Sequence, residues 1–229
     1  MSELHTAARR VAQPFPGLLD QVRVVPFRVA GPGPGRSEEF RMLCARLNHL
    51  QDMKGLRTMV VSSPGAGEGK SFVAAHLALA EAELKDHVTL LCDFDFRHPV
   101  LHDVFGIQRT PGLADYLQNS ADLNQIVKRI GDSNLYVMPA GSQHPNPVEL
   151  LTLPHARRLL EELSGTFNWI ILDTAPLLEA ADANLLSTYA DGTLLVVRTA
   201  TTELKSIPVA IRSLSRDNVV GVVVNGSFR

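Results

Sequence analysis

The sequence predicts an α/β fold in which a doubly wound, mostly parallel sheet of about six to eight strands is flanked by helices. From Arg57 onward, short runs rich in Val, Ile and Leu alternate with helical patterns. Most of these runs are apolar at every position, which is typical of parallel strands covered by helices on both faces. A repeated succession of strand and helix predicts this type of sheet.

The individual elements follow from this alternation. The apolar runs predict strands at residues 58–62, 88–92, 135–138, 169–172, 192–197 and 219–224. The segments between them predict helices at residues 69–83, 123–130, 154–163, 182–189 and 202–213.

The first 35 residues differ from the rest of the chain. They contain five prolines and end in GPGPG at 31–35, a composition that neither a helix nor a central strand tolerates. We expect a flexible Pro/Gly-rich extension over 1–35, with a short strand at 22–27 at most. Ser37 then precedes an acidic first helical turn, and this helix should run to about Gln51. The length favours one domain, which we expect over residues 36–229.

Composition excludes several classes of protein. The chain has 229 residues and a net charge of −2, which does not favour binding to nucleic acid. Its two cysteines, Cys44 and Cys92, have no metal-site spacing and fit a reduced, intracellular compartment. No segment has the apolar length of a membrane span, and the N-terminus lacks a signal-peptide core. We therefore expect a cytoplasmic protein that reaches a membrane only through a partner.

The most informative segment is SPGAGEGKS at 63–71, between the first apolar run and a helical pattern. A glycine-rich turn between a strand and a helix directs backbone N–H groups at one anion, Lys70 can reach outer phosphates, and Ser71 can bind Mg²⁺. Pro64 replaces the glycine that usually begins this loop, and the alternative is a turn that binds nothing. The predicted nucleotide-binding residues here are Gly65, Ala66, Gly67, Glu68, Gly69, Lys70, Ser71 and Phe72.

Carboxylates follow two of the predicted strands. Asp93 and Asp95 end one apolar run at alternate positions, and Asp173 ends another. Ligands of open α/β sheets gather beyond the carboxyl ends of the strands, and side chains two apart in an extended chain point the same way. Each aspartate alone could cap a turn, but three of them beside a phosphate loop predict a site for Mg²⁺ and a nucleotide.

These motifs together resemble the bacterial tyrosine kinases of capsule and exopolysaccharide biosynthesis, which are P-loop NTPases related to the Min and Par ATPases. The residues that carry the resemblance are SPGAGEGKS, the D-x-D-x-R motif at 93–97 and IILDTAP at 170–176. The resemblance continues through Pro99, Leu101, His102, Phe105, Gly106, 112–115, 139–151 and 181–183, and covers about residues 36–226.

The resemblance implies an ATP- and Mg²⁺-dependent protein-tyrosine kinase, with ATPase activity also possible. Lys70 would neutralise the transferring phosphoryl group, and Asp93 would be the catalytic base. Asp95 would be both a catalytic residue and a metal ligand. Ser71 and Asp173 would be the other metal ligands.

Two further residues have open interpretations. Asn225 lies where related proteins place an asparagine that contacts adenine, and a simple turn with Gly226 is the alternative. Arg97 would hold the acidic loop or a partner's phosphate, or would form an ordinary surface ion pair.

The chain departs from the family pattern in two places. Family kinases usually end in a tyrosine-rich tail, whereas Tyr189 is the last tyrosine here. We therefore expect the chain to phosphorylate another protein or to act as a regulator. The family's E-x-x-R-x-x-R helix, associated with rings, retains Glu38 and Arg41 but has Cys44 in place of the last arginine. A homo-oligomer and a simple ion pair both remain open.

The resemblance also implies partners. These are a tyrosine-containing protein substrate and a membrane-bound polysaccharide co-polymerase or activator, which would hold the chain at the inner membrane. The alternatives are a partitioning ATPase of the Min/Par kind and a non-catalytic, ATP-binding regulator of the co-polymerase. Partitioning ATPases usually carry a lysine where Gly65 stands, which disfavours the first alternative.

Overall fold

A computed structural model of the chain describes residues 23–25, 38–214 and 218–226. Its eight strands form one sheet in the order β1-β4-β5-β3-β6-β2-β7-β8, in which every neighbouring pair is parallel except β4 and β5. The strands are β1 (Arg23–Val25), β2 (Thr58–Ser62), β3 (Thr89–Asp93), β4 (Lys128–Ile130), β5 (Leu135–Met138), β6 (Trp169–Asp173), β7 (Gly192–Arg198) and β8 (Val219–Asn225).

Helices connect these strands within the described ranges. They are α1 (Glu38–Lys54), α2 (Lys70–Glu81), α3 (Leu101–Phe105), α4 (Leu113–Leu117), α5 (Leu123–Ile126), α6 (Pro147–Thr152), α7 (Pro154–Leu163), α8 (Ala181–Ser187) and α9 (Ser206–Ser213).

The helices form a layer on each face of the sheet. Apolar residues of α1, α2 and α3 pack on one face, against alternate strand residues such as Met59 and Val61. Helices α4 to α8 pack on the other face, where Val60 lies, and α9 packs beside them on Leu195 and Val197. Successive strand residues point to opposite faces. The double layer therefore explains why these strands are apolar at every position.

The predicted fold class is confirmed. The six predicted strands are present with ends that differ by no more than a residue, and the short N-terminal strand is β1. Strand β1 pairs with β4, so this part of the N-terminal segment belongs to the sheet. The rest of the predicted extension, 1–22 and 26–35, lies outside the described residues.

The helix predicted at 123–130 is wrong beyond Ile126. Val127 is extended, and β4 follows, paired with both β1 and β5. Pairing with segments distant in the sequence outweighs the local helical pattern in this case. The segment 139–151, which carries part of the resemblance, contains most of α6, and the helix predicted from Thr202 begins at Ser206.

A tight backbone junction fixes α4 to the end of β5, the strand beside β3. The Asp115 carboxylate accepts hydrogen bonds from Gly112 N at 2.7 Å and from Ser142 N at 3.1 Å. Gly141 has φ +90°, and the backbones of Gly112 and Gly141 touch. The absence of side chains at both positions is what allows this approach.

We predict that Gly112→Ala lowers the free energy of unfolding by about 2–3 kcal/mol, because the new methyl group collides with the backbone of Gly141 and Pro139. Gly221→Ala is the matched control, since its Cβ would lie 3.5 Å from Leu194 Cδ1, an ordinary contact. Urea unfolding of both variants measures the difference. Equal losses of stability would contradict the assignment of a tight junction at Gly112.

Candidate functional site

The order of the strands brings three strand ends together. Strand β6 lies between β2 and β3, and Asp173 at its end is in register with Val61 on one side and Asp93 on the other. All three strands are parallel, so their carboxyl ends meet at one edge of the sheet. The glycine-rich loop follows β2, and the D-x-D-x-R motif follows β3. The two predicted motifs are therefore neighbours across Asp173.

The loop ends in a backbone conformation that favours glycine. Gly69 has φ +93° and is the N-cap of α2, where a side chain would be strained. A Cβ at Gly69 would also collide with the side-chain amide of Asn225. The start of α2, with Lys70 and Ser71, is thereby held against the end of β8.

Side chains from the ends of β7 and β8 brace the loop. Asn225 Nδ2 donates to the Glu68 carbonyl at 3.0 Å, and Arg198 Nη1 donates to the Gly67 carbonyl at 2.9 Å. Thr202 Oγ1 donates to Glu68 Oε1 at 2.6 Å, and Glu68 is buried. Sequence reasoning missed Arg198 and Thr202, because each lies more than 130 positions from its partner in the loop.

Lys70 forms the central ion pair of the site. Its Nζ lies 2.8 Å from Asp95 Oδ2, and Asp95 Oδ1 accepts a hydrogen bond from His98 N at 3.0 Å. Asp93 Oδ2 accepts one from Leu101 N at 3.1 Å. Asp93, Asp95 and Asp173 are all buried, with relative exposures of 0%, 1% and 0%. The structure thus brings together the lysine and the three carboxylates that the motifs predict.

Burial and the concentration of charge together change the pKa of three of the groups. Burial, followed by the charge of Asp173, raises the pKa of Asp93 well above its ordinary value. Burial raises the pKa of Asp173 to about 7, although Lys70 and the Ser71 hydroxyl act to lower it. Burial acts to lower the pKa of Lys70, but the charge of Asp173 and the contact with Asp95 raise it overall. The site therefore contains three carboxyl groups but only one ammonium group, that of Lys70.

The acidic site suits a divalent cation that is completed by other ligands. Among the described residues, no three His, Cys, Asp or Glu side chains are arranged as a ready metal site. Both oxygens of Asp173 and Oδ1 of Asp93 are buried without a well-formed hydrogen bond to a described residue. Mg²⁺ typically takes only one or two carboxylates and completes its shell with water and phosphate oxygens. The residues present therefore fit Mg²⁺ that arrives with a phosphorylated ligand.

Phe72 and Asn225 lie beside a groove of about 510 Å³ between α1, α2 and β8. Phe72 is 51% exposed, and its ring centroid lies 3.8 Å from that of His76 and 6.2 Å from that of Phe40. Phe72 therefore contacts side chains of α1 and α2. Asn225 directs its amide to the loop, an arrangement that neither of the two earlier interpretations included.

Other residues that the sequence singled out form contacts within the chain. Arg97 Nε donates to Asp182 Oδ2 at 3.2 Å, so the arginine is anchored to a buried carboxylate. Glu38 and Arg41 form an exposed pair at 3.8 Å. Tyr189 donates its hydroxyl to the Leu151 carbonyl.

In the ranges that the structure describes, no helix is both long and apolar enough to cross a bilayer.

The relatives found by comparison of sequences are tyrosine-protein kinases. No family model matches the chain. It is 32% identical over 192 residues to the tyrosine-protein kinase YwqD of Bacillus subtilis, covering 83% of this chain and 81% of that protein. It is 33% identical over 168 residues to the tyrosine-protein kinase ptk of Acinetobacter johnsonii, covering 73% of this chain but 22% of that longer protein. The chain therefore spans most of one relative and under a quarter of the other.

Solved structures agree with these relatives. The kinase domain of the Escherichia coli tyrosine kinase ETK superposes with a TM-score of 0.79 and 28% identity, over 82% of this chain and 74% of that one. The cell division ATPase MinD of Pyrococcus furiosus superposes with a TM-score of 0.62 and 22% identity, over 73% of this chain and 70% of that one. The likeness to MinD shows that the two chains share a fold.

We predict that Asp173→Asn stabilises the magnesium- and nucleotide-free protein at about pH 8 by up to a few kcal/mol, and much less at about pH 4. The pKa of Asp173 is about 7 in the fold and 3.8 ordinarily. Between these values the folded protein keeps a proton that the unfolded chain loses. Wild-type stability therefore falls as pH rises through this window, and the variant lacks this loss.

Urea unfolding of wild type and variant across this pH range, with a chelator present, measures the effect. Asp132→Asn, at an exposed turn, is the control and should show no such trend. A stability gap for Asp173→Asn that does not widen as pH rises would contradict the raised pKa.

Proposed function

The chain belongs to the family of bacterial tyrosine kinases, and from this premise we propose that it transfers a phosphoryl group from Mg·ATP to a tyrosine hydroxyl of a protein. The observation that carries the proposal is the Lys70–Asp95 pair beside Asp93 and Asp173, at the ends of adjacent strands. Phosphoryl transfer depends mainly on positioning and charge stabilisation. A partly buried lysine among buried acids, next to a glycine-rich loop, supplies both.

The loop would bind the phosphates of the nucleotide. The backbone N–H groups of Gly65 to Ser71 would be the donors, supported by the N-terminus of α2. Lys70 would leave Asp95 to neutralise the transferring group. The braces from Arg198 and Thr202 support this proposal, because they restrain the loop before any ligand binds.

The carboxylates would divide the remaining tasks. Ser71, Asp95 and Asp173 would hold Mg²⁺ directly or through its waters, and the ion would neutralise charge that develops on the phosphates. Asp93 would accept the tyrosine proton while the hydroxyl oxygen bonds to phosphorus and ADP leaves. Its raised pKa supports this assignment, since a more basic carboxylate is a better proton acceptor.

The nucleotide base would lie near Phe72 and Asn225. Both residues adjoin the groove beside β8, and Phe72 directly follows Ser71 of the loop. Asn225 would then have two roles. Its side-chain amide would hold the loop, and the residue would lie next to the base.

The wider biological role follows from the family. We propose that the chain regulates the synthesis of capsule or exopolysaccharide, as one domain over residues 36–229. It would act in the cytoplasm at the inner membrane, held there by a polysaccharide co-polymerase, and would use a tyrosine of a partner protein as substrate. The exposed Glu38–Arg41 pair on α1 leaves a surface for self-association.

ATP hydrolysis without a protein substrate is the second candidate, because MinD shares the fold. The chain has Gly65 where partitioning ATPases usually have a lysine, which favours the kinase. A non-catalytic regulator would bind the nucleotide through the same loop and would transfer nothing.

We predict that Lys70→Ala lowers tyrosine labelling from radioactive ATP by at least about a hundredfold, because the transferring group loses its cation. Asp93→Asn should lower labelling similarly but keep Mg·ATP binding near wild type, because the amide can still accept from Leu101 N and cannot take a proton. Lys85→Ala, at an exposed position, is the control for lost charge. The assay includes the cytoplasmic segment of a candidate membrane activator and an acceptor tyrosine protein.

The outcomes separate the three functions. Labelling on tyrosine that depends on Lys70 supports the kinase. Release of phosphate without labelling supports the ATPase, and Mg·ATP binding with neither supports the regulator. Labelling at wild-type rates in both Lys70→Ala and Asp93→Asn would refute the assignment of the site.

A further inference from the structure

One contact to the phosphate loop comes from a residue that neither the motifs nor the proposed mechanism use. Glu179, in the segment between β6 and α8, accepts a hydrogen bond at Oε1 from Ala66 N at 2.7 Å. Ala66 is in the middle of the glycine-rich loop, and the two residues are 113 positions apart. A carboxylate thus occupies one of the backbone donors that make the loop a binding site for anions.

The position of Glu179 is set by the backbone on its N-terminal side. Leu177 N donates to the Ser63 carbonyl at 2.8 Å, and Leu178 N donates to the Pro64 carbonyl at 3.3 Å. These two hydrogen bonds hold the segment alongside the start of the phosphate loop. The next residue, Glu179, is then placed opposite Ala66.

The segment is also tied down on its C-terminal side. Helix α8 begins two residues after Glu179, and its Asp182 is fully buried and bonded to Arg97 of the D-x-D-x-R motif. Glu179 therefore lies on a short connection between two anchored points. Its contact with Ala66 is a product of the fold on both sides.

We propose that Glu179 is an internal competitor of nucleotide phosphate, capping the Ala66 N–H until a phosphate oxygen displaces it. A carboxylate and a phosphate both accept charge-assisted hydrogen bonds from backbone amides, and one N–H cannot serve both fully. The carboxylate also adds negative charge to a site that already holds Asp93, Asp95 and Asp173. Glu179 thereby sets the affinity of the loop for nucleotide. The inference rests on nucleotide binding at this loop, which the proposed function includes.

Binding measurements with two probes test this inference on the full chain. Isothermal titration calorimetry with a non-hydrolysable Mg·ATP analogue, and with tripolyphosphate alone, gives affinities that do not depend on turnover. Glu179→Ala should bind both probes roughly three- to tenfold more tightly than wild type, because no charge-assisted hydrogen bond has to be broken first. Glu179→Gln, which keeps an uncharged acceptor, should lie between the two. The gain should shrink at high salt, which screens exposed charges.

The matched control is Glu203→Ala. Glu203 is exposed, pairs with Lys205 at 3.0 Å and lies in the neighbouring segment between β7 and α9. It carries the same charge as Glu179, so its removal reproduces the change in net charge alone. Its affinities for both probes should remain within about twofold of wild type, as is usual for an isolated exposed charge.

The amide signal of Ala66 in a ¹⁵N-correlated NMR spectrum reports the contact directly. In the ligand-free protein this signal should move in Glu179→Ala and stay in place in Glu203→Ala. An unmoved signal in Glu179→Ala, or affinities equal to or weaker than wild type, would overturn the inference while leaving a wild-type kinase intact. Failure of the wild type to bind either probe would overturn both proposals.

Discussion

The ion pair between Lys70 and Asp95 is the contact on which the candidate site depends. Asp93 and Asp173 are buried beside it, and an isolated buried charge is costly unless it is paired. Burial raises the pKa values of Asp93 and Asp173, and the neighbouring carboxylates raise them further, since one ammonium cannot compensate three carboxylates. The site is therefore incomplete in charge. A divalent cation, accompanied by phosphate for Lys70, is the kind of ligand that would complete it.

The order of the strands in the sheet makes this arrangement possible. Because β6 lies between β2 and β3, one aspartate at its end adjoins both the phosphate loop and the acidic motif. The loop is held from the other side by the ends of β7 and β8, through Arg198 and Asn225. Five parallel strands thus contribute to one edge. Groups placed on rigid elements are held more precisely than groups on free loops.

Most of the strands and the phosphate loop could be predicted from the sequence. The central strands are buried on both faces, so each is a continuous apolar run, and the phosphate loop is a local pattern. Strand β4 was not predictable, because two of the three residues in Lys128–Ile130 are charged and the strand is specified by its partners β1 and β5. The contacts of Glu179, Arg198 and Thr202 with the phosphate loop could not be predicted from the sequence either. Each joins residues more than a hundred positions apart, and only the folded sheet brings them together.

A crystal structure with Mg²⁺ and a non-hydrolysable ATP analogue tests the central claim most directly. We expect phosphates along Gly65 to Ser71 and Lys70 Nζ moved from Asp95 to a phosphate oxygen. Mg²⁺ should lie beside Ser71, with Asp173 facing it directly or through water. A nucleotide bound elsewhere on the molecule would contradict the account. So would a bound nucleotide that leaves the 2.8 Å contact between Lys70 and Asp95 unchanged.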